Sequence, residues 1–295
     1  MTNEPRLRVG ITGARGFIGR HAVRRFAAHG HDVHAYQRDA TAAPGTPGVI
    51  VHRFEMPGAI EPREFQGLDV LIHAALVEYG PAHRDADRIN REGAARLIEI
   101  ARAQNTRLIF LSTLSAHAAA RSHYGRSKLE IERLFDPARD CILRLGLVLG
   151  EGGLFGSMVE MIRGASVVPL PDGGRQPIQT LWMEDLLDGL ERVATRGVAG
   201  TYDLATAEVY TMRELYETVI AGLGVKRTLV PVPLALVGLG VATLEALRIP
   251  FGINSENVLG LRALRAFDNA RDLERLGMKP MGLKESVNRL LPAGR

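Results

Sequence analysis

Cysteine is almost absent from this chain of 295 residues, which contains only Cys141. A single thiol cannot form a disulfide within the chain, so the composition predicts a reducing, cytoplasmic location. Residues 1–5 are polar and lack the apolar segment of a secretory signal, which agrees with that prediction. Cys141 stands in an apolar, strand-like run, and we interpret it as a small core residue.

Blocks of like charge and metal-ligand spacings are also absent. The 37 basic and 33 acidic residues are scattered along the chain, so no nucleic-acid partner is predicted. The nine histidines show no spacing typical of a metal site, so no metal is predicted either.

Long apolar runs are scarce too. The most hydrophobic stretch, residues 229–244, is interrupted by proline and glycine and is shorter than the ~18 to 20 residues of a membrane span. We therefore predict no membrane partner and expect this stretch to pack over a substrate cleft. A peripheral membrane contact, or access for a lipid-like substrate, is the alternative.

The chain does contain a glycine-rich turn between a strand and a helix. Residues 7–11 alternate as a strand does, and the spacing Gly13-x-x-Gly16-x-x-Gly19 opens an amphipathic helix. Gly13 permits the tight turn, Gly16 lets the backbone approach phosphates, and Gly19 lets the helix lie close to the sheet. The free amides of such a helix favour a pyrophosphate. The residues expected around the dinucleotide here are Gly13, Arg15, Gly16, Phe17, Ile18 and Gly19.

Strands and helices alternate through the first half of the chain. The predicted strands are 33–36, 49–54, 68–75 and 107–111, with a helix at 82–104. This order predicts an α/β fold, a Rossmann-type doubly wound parallel sheet that binds its ligand at the carboxyl ends of the strands. We predict a Rossmann domain for NAD(P) over 1–150. A smaller, mainly substrate-binding region would follow over 151–295, with segments near 176–206 returning to the Rossmann domain.

The second half contains less regular signals. Residues 157–163 predict a helix, 167–175 a strand and turn, 181–186 a strand before a helix at 186–196, and 200–205 a strand. Thr211 and Glu214 have the spacing of a capping box that begins a further helix.

The end of the second strand bears on the choice of cofactor. An acidic residue usually grips the ribose 2′-hydroxyl of NAD at this point, whereas Arg38 stands here, with Arg15 in the glycine turn. Two guanidinium groups suit a 2′-phosphate and favour NADP over NAD. The alternative is that Asp39 grips the ribose and Arg38 is solvated. Glu55, after the third strand, is a candidate partner of the adenine.

Small residues and hydroxyls follow the next two strands. Ala74 and Ala75 would let a dinucleotide lie against the strand end, and Asn90 lies on the helix that follows. Beyond the fifth strand, Tyr124 and Lys128 lie one helical turn apart. A phenol has a pKa near ~10, and lowering it by ~3 units requires about 4 kcal/mol of extra phenolate stabilisation. A nearby ammonium supplies much of that, so the pair predicts an acid/base group.

These residues together resemble the extended short-chain dehydrogenase/reductase family of NAD-dependent epimerases and dehydratases. The matching stretches are 12–19, Asp69 with 73–75, Asn90, 111–113, 124–128 and 142–146. The resemblance implies an NAD(P)-dependent oxidoreductase or epimerase/dehydratase that acts on a hydroxyl or ketone, with Tyr124 as acid/base. Lys128 would hold the nicotinamide ribose and Thr113 the substrate oxygen, with Ser112 and Ser115 as alternatives to Thr113.

The resemblance also places Asn90 near the cofactor and Leu145 near the nicotinamide. Relatives that act on sugar nucleotides carry an arginine that clamps the diphosphate, but Ile178 stands at that position. Arg175 is the candidate replacement, or the substrate lacks a diphosphate; Trp182 is a candidate pocket floor. A homodimer is common among relatives. The alternative function is a protein of this fold that binds NAD(P)H as a sensor or assembly factor.

Overall fold

The computed structural model describes residues 5–41, 45–78, 84–246 and 255–291. The strands are β1 (Arg8–Thr12), β2 (Asp32–Gln37), β3 (Ile50–Arg53), β4 (Val70–His73), β5 (Arg107–Thr113), β6 (Cys141–Leu145), β7 (Leu147–Leu149), β8 (Val167–Pro171), β9 (Pro177–Ile178), β10 (Thr180–Trp182), β11 (Gly200–Leu204), β12 (Tyr210–Thr211) and β13 (Thr228–Val232). The helices are α1 (Phe17–Ala28), α2 (Ala86–Ala103), α3 (His123–Glu132), α4 (Gly153–Gly164), α5 (Met183–Arg196), α6 (Met212–Gly222), α7 (Leu234–Ala246), α8 (Ser255–Leu261), α9 (Ala270–Leu276) and α10 (Leu283–Leu290).

A central parallel sheet of seven strands has the order β3-β2-β1-β4-β5-β6-β11. The chain starts in the middle of this sheet and moves outward first to β2 and β3, then back past β1 to β4. A switch of direction of this kind leaves a crevice at the carboxyl ends of β1 and β4, where α/β sheets bind ligands. The predicted Rossmann-type α/β fold is confirmed.

The chain forms two compact units. One contains Met1–Ala118, Arg126–Arg144 and Leu187–Tyr202, and the other contains Ala119–Gly125, Leu145–Leu186 and Asp203–Arg295. The core of the first unit includes Tyr36, Leu71, Leu97 and Phe110, which lie between strands and helices of the sheet. The core of the second is a separate apolar cluster with Phe155, Leu170, Leu215 and Val287 among its members.

Most predicted elements occur with shifted ends, and one assignment is wrong. The predicted strand 181–186 ends at Trp182, and helix α5 begins at Met183. Met183, Leu186 and Leu190 are all buried, and their spacing of three and four residues is that of a helix. Helix α4 begins four residues before the predicted 157, while the predicted start of α2 at residue 82 lies outside the described residues.

The apolar stretch after residue 228 divides at Pro233 into β13 and α7. Within the described part of the chain, no helix combines the length and the apolar character that crossing a bilayer requires.

Candidate functional site

The glycine turn leads into helix α1, and its three glycines present backbone atoms without side chains. Gly13 has a φ of 68°, and a Cβ there would lie 2.8 Å from the Cα of Ala75. A Cβ on Gly19 would lie 2.1 Å from the carbonyl oxygen of Gly13, so both positions require glycine. Gly16 is the N-cap, no side chain caps the helix, and its first turn has no acidic residue. These residues fit an anionic group such as a pyrophosphate.

The remaining turn residues differ in exposure. Phe17 and Ile18 open α1 and are half-buried, whereas Arg15 is exposed. Within the described residues, the Arg15 guanidinium makes no ion pair, so its charge is available to a phosphate.

Arg38 is exposed immediately after β2, and the carboxylate of the next residue, Asp39, forms hydrogen bonds within its own turn. One oxygen of Asp39 accepts hydrogen bonds from the backbone N–H of Thr41 at 3.0 Å and from its hydroxyl at 2.6 Å. This turn uses one oxygen of the carboxylate that is the alternative partner of the ribose hydroxyl. Glu55 is exposed just beyond β3, 3.9 Å from the Arg53 guanidinium.

A buried polar pair joins the ends of β1 and β4. The hydroxyl of Thr12 lies 2.8 Å from Nδ1 of His73 and accepts the backbone N–H of Ala75 at 3.2 Å. Burial, with the charge of Lys128 as the smaller cause, lowers the pKa of His73 to about 3, so the imidazole is neutral. The pair fixes the segment that begins with half-buried Ala74 and Ala75. This role of His73 was not predicted from the sequence, although a histidine in an otherwise apolar strand is a visible signal.

Asn90 is buried on α2, and its side-chain amide is used by the loop after β4. The backbone N–H of Val77 donates to Asn90 Oδ1 at 2.8 Å, and Asn90 Nδ2 donates to the Val77 carbonyl at 2.7 Å. Asn90 therefore holds the loop that follows Ala75. A direct contact with the cofactor stays a prediction.

The three hydroxyls at the end of β5 have different surroundings. Ser112 is buried and donates to Glu132 Oε1 at 2.5 Å. Thr113 and Ser115 are half-buried, and the Thr113 hydroxyl accepts the backbone N–H of Ser115 at 3.2 Å. Because Glu132 occupies the Ser112 hydroxyl, Thr113 or Ser115 is the better candidate to face a ligand.

Helix α3 carries Tyr124 in its first turn and Lys128 one turn later, so both lie on one side of the helix. Tyr124 is 39% exposed, whereas Lys128 is buried. Lys128 Nζ donates to the Leu111 carbonyl at 2.7 Å and lies 4.5 Å from the centre of the Phe110 ring. His73 stacks on the same Phe110 ring, so Lys128 lies near the ends of β4 and β5.

The charge of Lys128 is set by its surroundings. Burial lowers the pKa of Lys128 to about 8, and Glu132 acts in the opposite direction. Glu132 is itself held by Arg144, whose Nη2 lies 2.6 Å from Oε2. The amine is therefore mostly protonated at pH 7 and closer to losing its proton than an ordinary lysine.

The two residues predicted near the substrate, Arg175 and Trp182, lie in the unit that also contains Tyr124. Arg175 is exposed after the turn that follows β8, and Trp182 is half-buried with the Arg289 guanidinium 5.1 Å from its ring. Ile178 is buried in the apolar core of that unit. Leu145 is buried at the end of β6. The roles predicted for Arg175, Trp182 and Leu145 stay predictions.

Two further features limit the chemistry. Burial raises the pKa of the Cys141 thiol to about 12, with Asp140 adding to the effect, so this thiol is not a nucleophile at neutral pH. Across the described ranges, no three or more His, Cys, Asp or Glu side chains are grouped so that they could hold a metal ion.

Comparison with known proteins gives a consistent set of relatives. A model of the NAD dependent epimerase/dehydratase family matches residues 9–205. A ceramide reductase of Caulobacter vibrioides (strain NA1000 / CB15N) is 29% identical, over 79% of this chain and 76% of that protein. A dTDP-6-deoxy-L-talose 4-dehydrogenase (NAD(P)(+)) of Kitasatospora kifunensis is 29% identical, over 77% of this chain and 82% of that protein.

Among solved structures, the Bordetella bronchiseptica enzyme WbmG in complex with NAD superposes with a TM-score of 0.75. The match covers 99% of this chain and 94% of that one at 17% identity, so it is evidence for the fold alone.

Proposed function

Since the chain belongs to the NAD dependent epimerase/dehydratase family, we propose that it is an NADP-dependent oxidoreductase that reduces a ketone, with Tyr124 as the acid. The observation that carries the proposal is the exposed Arg38 beside an Asp39 carboxylate engaged by Thr41. An epimerase returns the hydride to its own substrate and consumes no cofactor. Selective binding of the 2′-phosphate of NADPH therefore favours an enzyme that consumes reduced cofactor, a net reductase. The two curated relatives described above are likewise named as a reductase and a dehydrogenase.

The proposed reaction assigns a separate task to each side chain. When bound, NADPH supplies a hydride to the carbonyl carbon. Tyr124 donates its phenolic proton to the substrate oxygen, while Thr113 donates a hydrogen bond to the same oxygen. Lys128 uses one N–H on the Leu111 carbonyl, which leaves two for the ribose and for charge stabilisation of the phenolate.

The substrate class follows from position 178. Ile178 is buried among apolar side chains, so this position provides no cation for a diphosphate. We therefore propose a ketone without a nucleoside diphosphate, and the similarity to a ceramide reductase favours a long-chain keto lipid. Were the substrate a sugar nucleotide, exposed Arg175 would have to replace the missing clamp.

The proposed reaction is tested by stoichiometry. We expect one NADPH to be oxidised for each carbonyl reduced when the protein is assayed with long-chain keto lipids and with UDP- and dTDP-4-keto sugars. Preference for the lipids supports the substrate assignment. Interconversion of sugar epimers without NADPH consumption would show an epimerase, and cofactor binding without turnover on the whole panel would favour the sensor alternative.

The cofactor preference is tested at Arg38. Arg38→Ala should raise the Kd of NADPH by about 10- to 100-fold, the range expected for a lost charge-assisted hydrogen bond, and leave the Kd of NADH within about twofold. Titration calorimetry measures both. Arg63→Ala, at another exposed arginine of the same unit, is the matched control. Equal weakening of both cofactors by Arg38→Ala would contradict the assignment.

A further inference from the structure

Helix α7 has a covered side and an uncovered side, and both are apolar. Leu234 and Val241, two turns apart, are buried against Val258 of α8. On the opposite side of the helix, Leu236 is 59% exposed and Leu239 is 66% exposed. The two exposed leucines lie about one turn apart and form a short apolar strip along the helix.

The uncovered side offers water almost no polar group. Besides the two leucines it carries Ala235, Gly240 and Thr243, all exposed. The Thr243 hydroxyl donates to the Leu239 carbonyl at 2.8 Å, within the helix itself. The sequence of α7 contains a single charged residue, Glu245, next to its last residue. Water therefore forms few hydrogen bonds with this side of the helix, and its apolar surface is exposed at a cost in free energy.

We propose that the uncovered side of α7 docks on the surface of a lipid bilayer. The helix has 13 residues, which span about 20 Å, whereas a transmembrane helix needs about 20 residues. The geometry therefore points to a helix that lies in the plane of the interface with its leucines among the acyl chains. This inference goes beyond the proposed function. Its test measures binding to vesicles and does not depend on enzyme activity.

Exposed basic side chains follow two elements that contact α7, the turn after β8 and helix α8. The start of α7 is fixed to the turn after β8, because the Leu234 N–H donates to Asp172 Oδ1 at 2.7 Å, and exposed Arg175 ends that turn. Exposed Arg262 follows directly after α8, the helix that covers the other side. Within the described residues, neither Arg175 nor Arg262 forms an ion pair. Free guanidinium groups near the start of α7 and after α8 match anionic lipid headgroups.

A second copy of this chain is the other occupant to consider. A face about 20 Å long and about 10 Å wide offers roughly 200 Å², against about 800 Å² per partner in a stable interface. A bilayer requires no such area and no complementary shape, so the lipid surface is the better match.

The test is flotation of the purified protein with two kinds of vesicle, pure phosphatidylcholine and phosphatidylcholine mixed with phosphatidylglycerol. We expect binding to the mixed vesicles, reduced at least about tenfold by Leu236→Glu combined with Leu239→Glu. Arg262→Ala should weaken binding to the mixed vesicles more than to the neutral ones. Leu154→Glu, at a leucine of α4 that is 51% exposed, should bind as the wild type does.

Cofactor affinity and circular dichroism of the double variant should equal those of the wild type, which shows that it is folded. Three results would overturn the proposal: wild-type protein that does not float, a double variant that binds like the wild type, or a Leu154→Glu effect of equal size. Light scattering that shows a wild-type dimer dissociated by the double variant would assign the face to a second copy instead.

Discussion

Replacing Tyr124 by Phe lowers kcat for ketone reduction by about 100- to 10,000-fold, the usual contribution of a positioned acid. The phenyl ring keeps the shape of the side chain but has no proton to donate to the substrate oxygen. Tyr124 is 39% exposed in the first turn of α3, and phenylalanine keeps its ring, so the variant differs from the wild type only by the hydroxyl. Steady-state kinetics give kcat, and calorimetry should find NADPH affinity within about twofold of the wild type.

Tyr210→Phe provides the matched control for this variant. The Tyr210 hydroxyl accepts the backbone N–H of Leu283 at 3.2 Å, so it has a structural partner. We expect Tyr210→Phe to leave kcat within about twofold. The hydrogen bond that it removes is structural, so its loss changes the free energy of unfolding and not the rate. A Tyr124→Phe variant that retains most of its turnover would show that another group donates the proton.

Lys128→Met is the second change with a large expected effect. Burial lowers the pKa of Lys128 to about 8, so in the free wild-type protein the ammonium is lost as the pH rises through that value, and kcat/KM for reduction should fall there. Without the ammonium the phenolate of Tyr124 loses a cation one helical turn away on α3, and its pKa rises. We expect kcat/KM at pH 7 to fall by about 100-fold and the alkaline limb of the profile to move up by about one to two pH units.

The pH profile separates this role from a structural one. Lys284→Met, at an exposed lysine of α10, should leave both the rate and the limb unchanged. A Lys128→Met variant with a lower rate but an unmoved alkaline limb would mean that Lys128 only supports the helix.

The parts of the fold that could be predicted from the sequence are those set by local pattern. The glycine turn could be predicted because its backbone requires glycine: Gly13 adopts a φ of 68°, and Gly19 packs on the Gly13 carbonyl. The Thr211–Glu214 capping box is present with both of its hydrogen bonds. The start of α5 was wrong because Leu181 and Trp182 of the strand run directly into the helical spacing of α5, with no breaker between them.

The site was less accessible to prediction because its contacts are distant in sequence. Thr12 and His73 are separated by 61 residues, and Ser112 and Glu132 by 20. Local spacing contains no information on such pairs. The burial of Lys128 also depends on distant contacts: lysines on helices usually extend into solvent, and this one is held by the Leu111 carbonyl and the Phe110 ring.

The most direct test of the central claim is a titration of the Tyr124 phenol itself. Ultraviolet difference spectra of the NADP-bound protein, with Tyr124→Phe as the blank, report its ionisation. We expect a pKa lowered by about two to three units from the ordinary ~10 in the wild type and a return toward ~10 in Lys128→Met. An unshifted pKa in the wild type, or the same pKa in both proteins, would contradict the claim that Lys128 tunes Tyr124 for proton transfer.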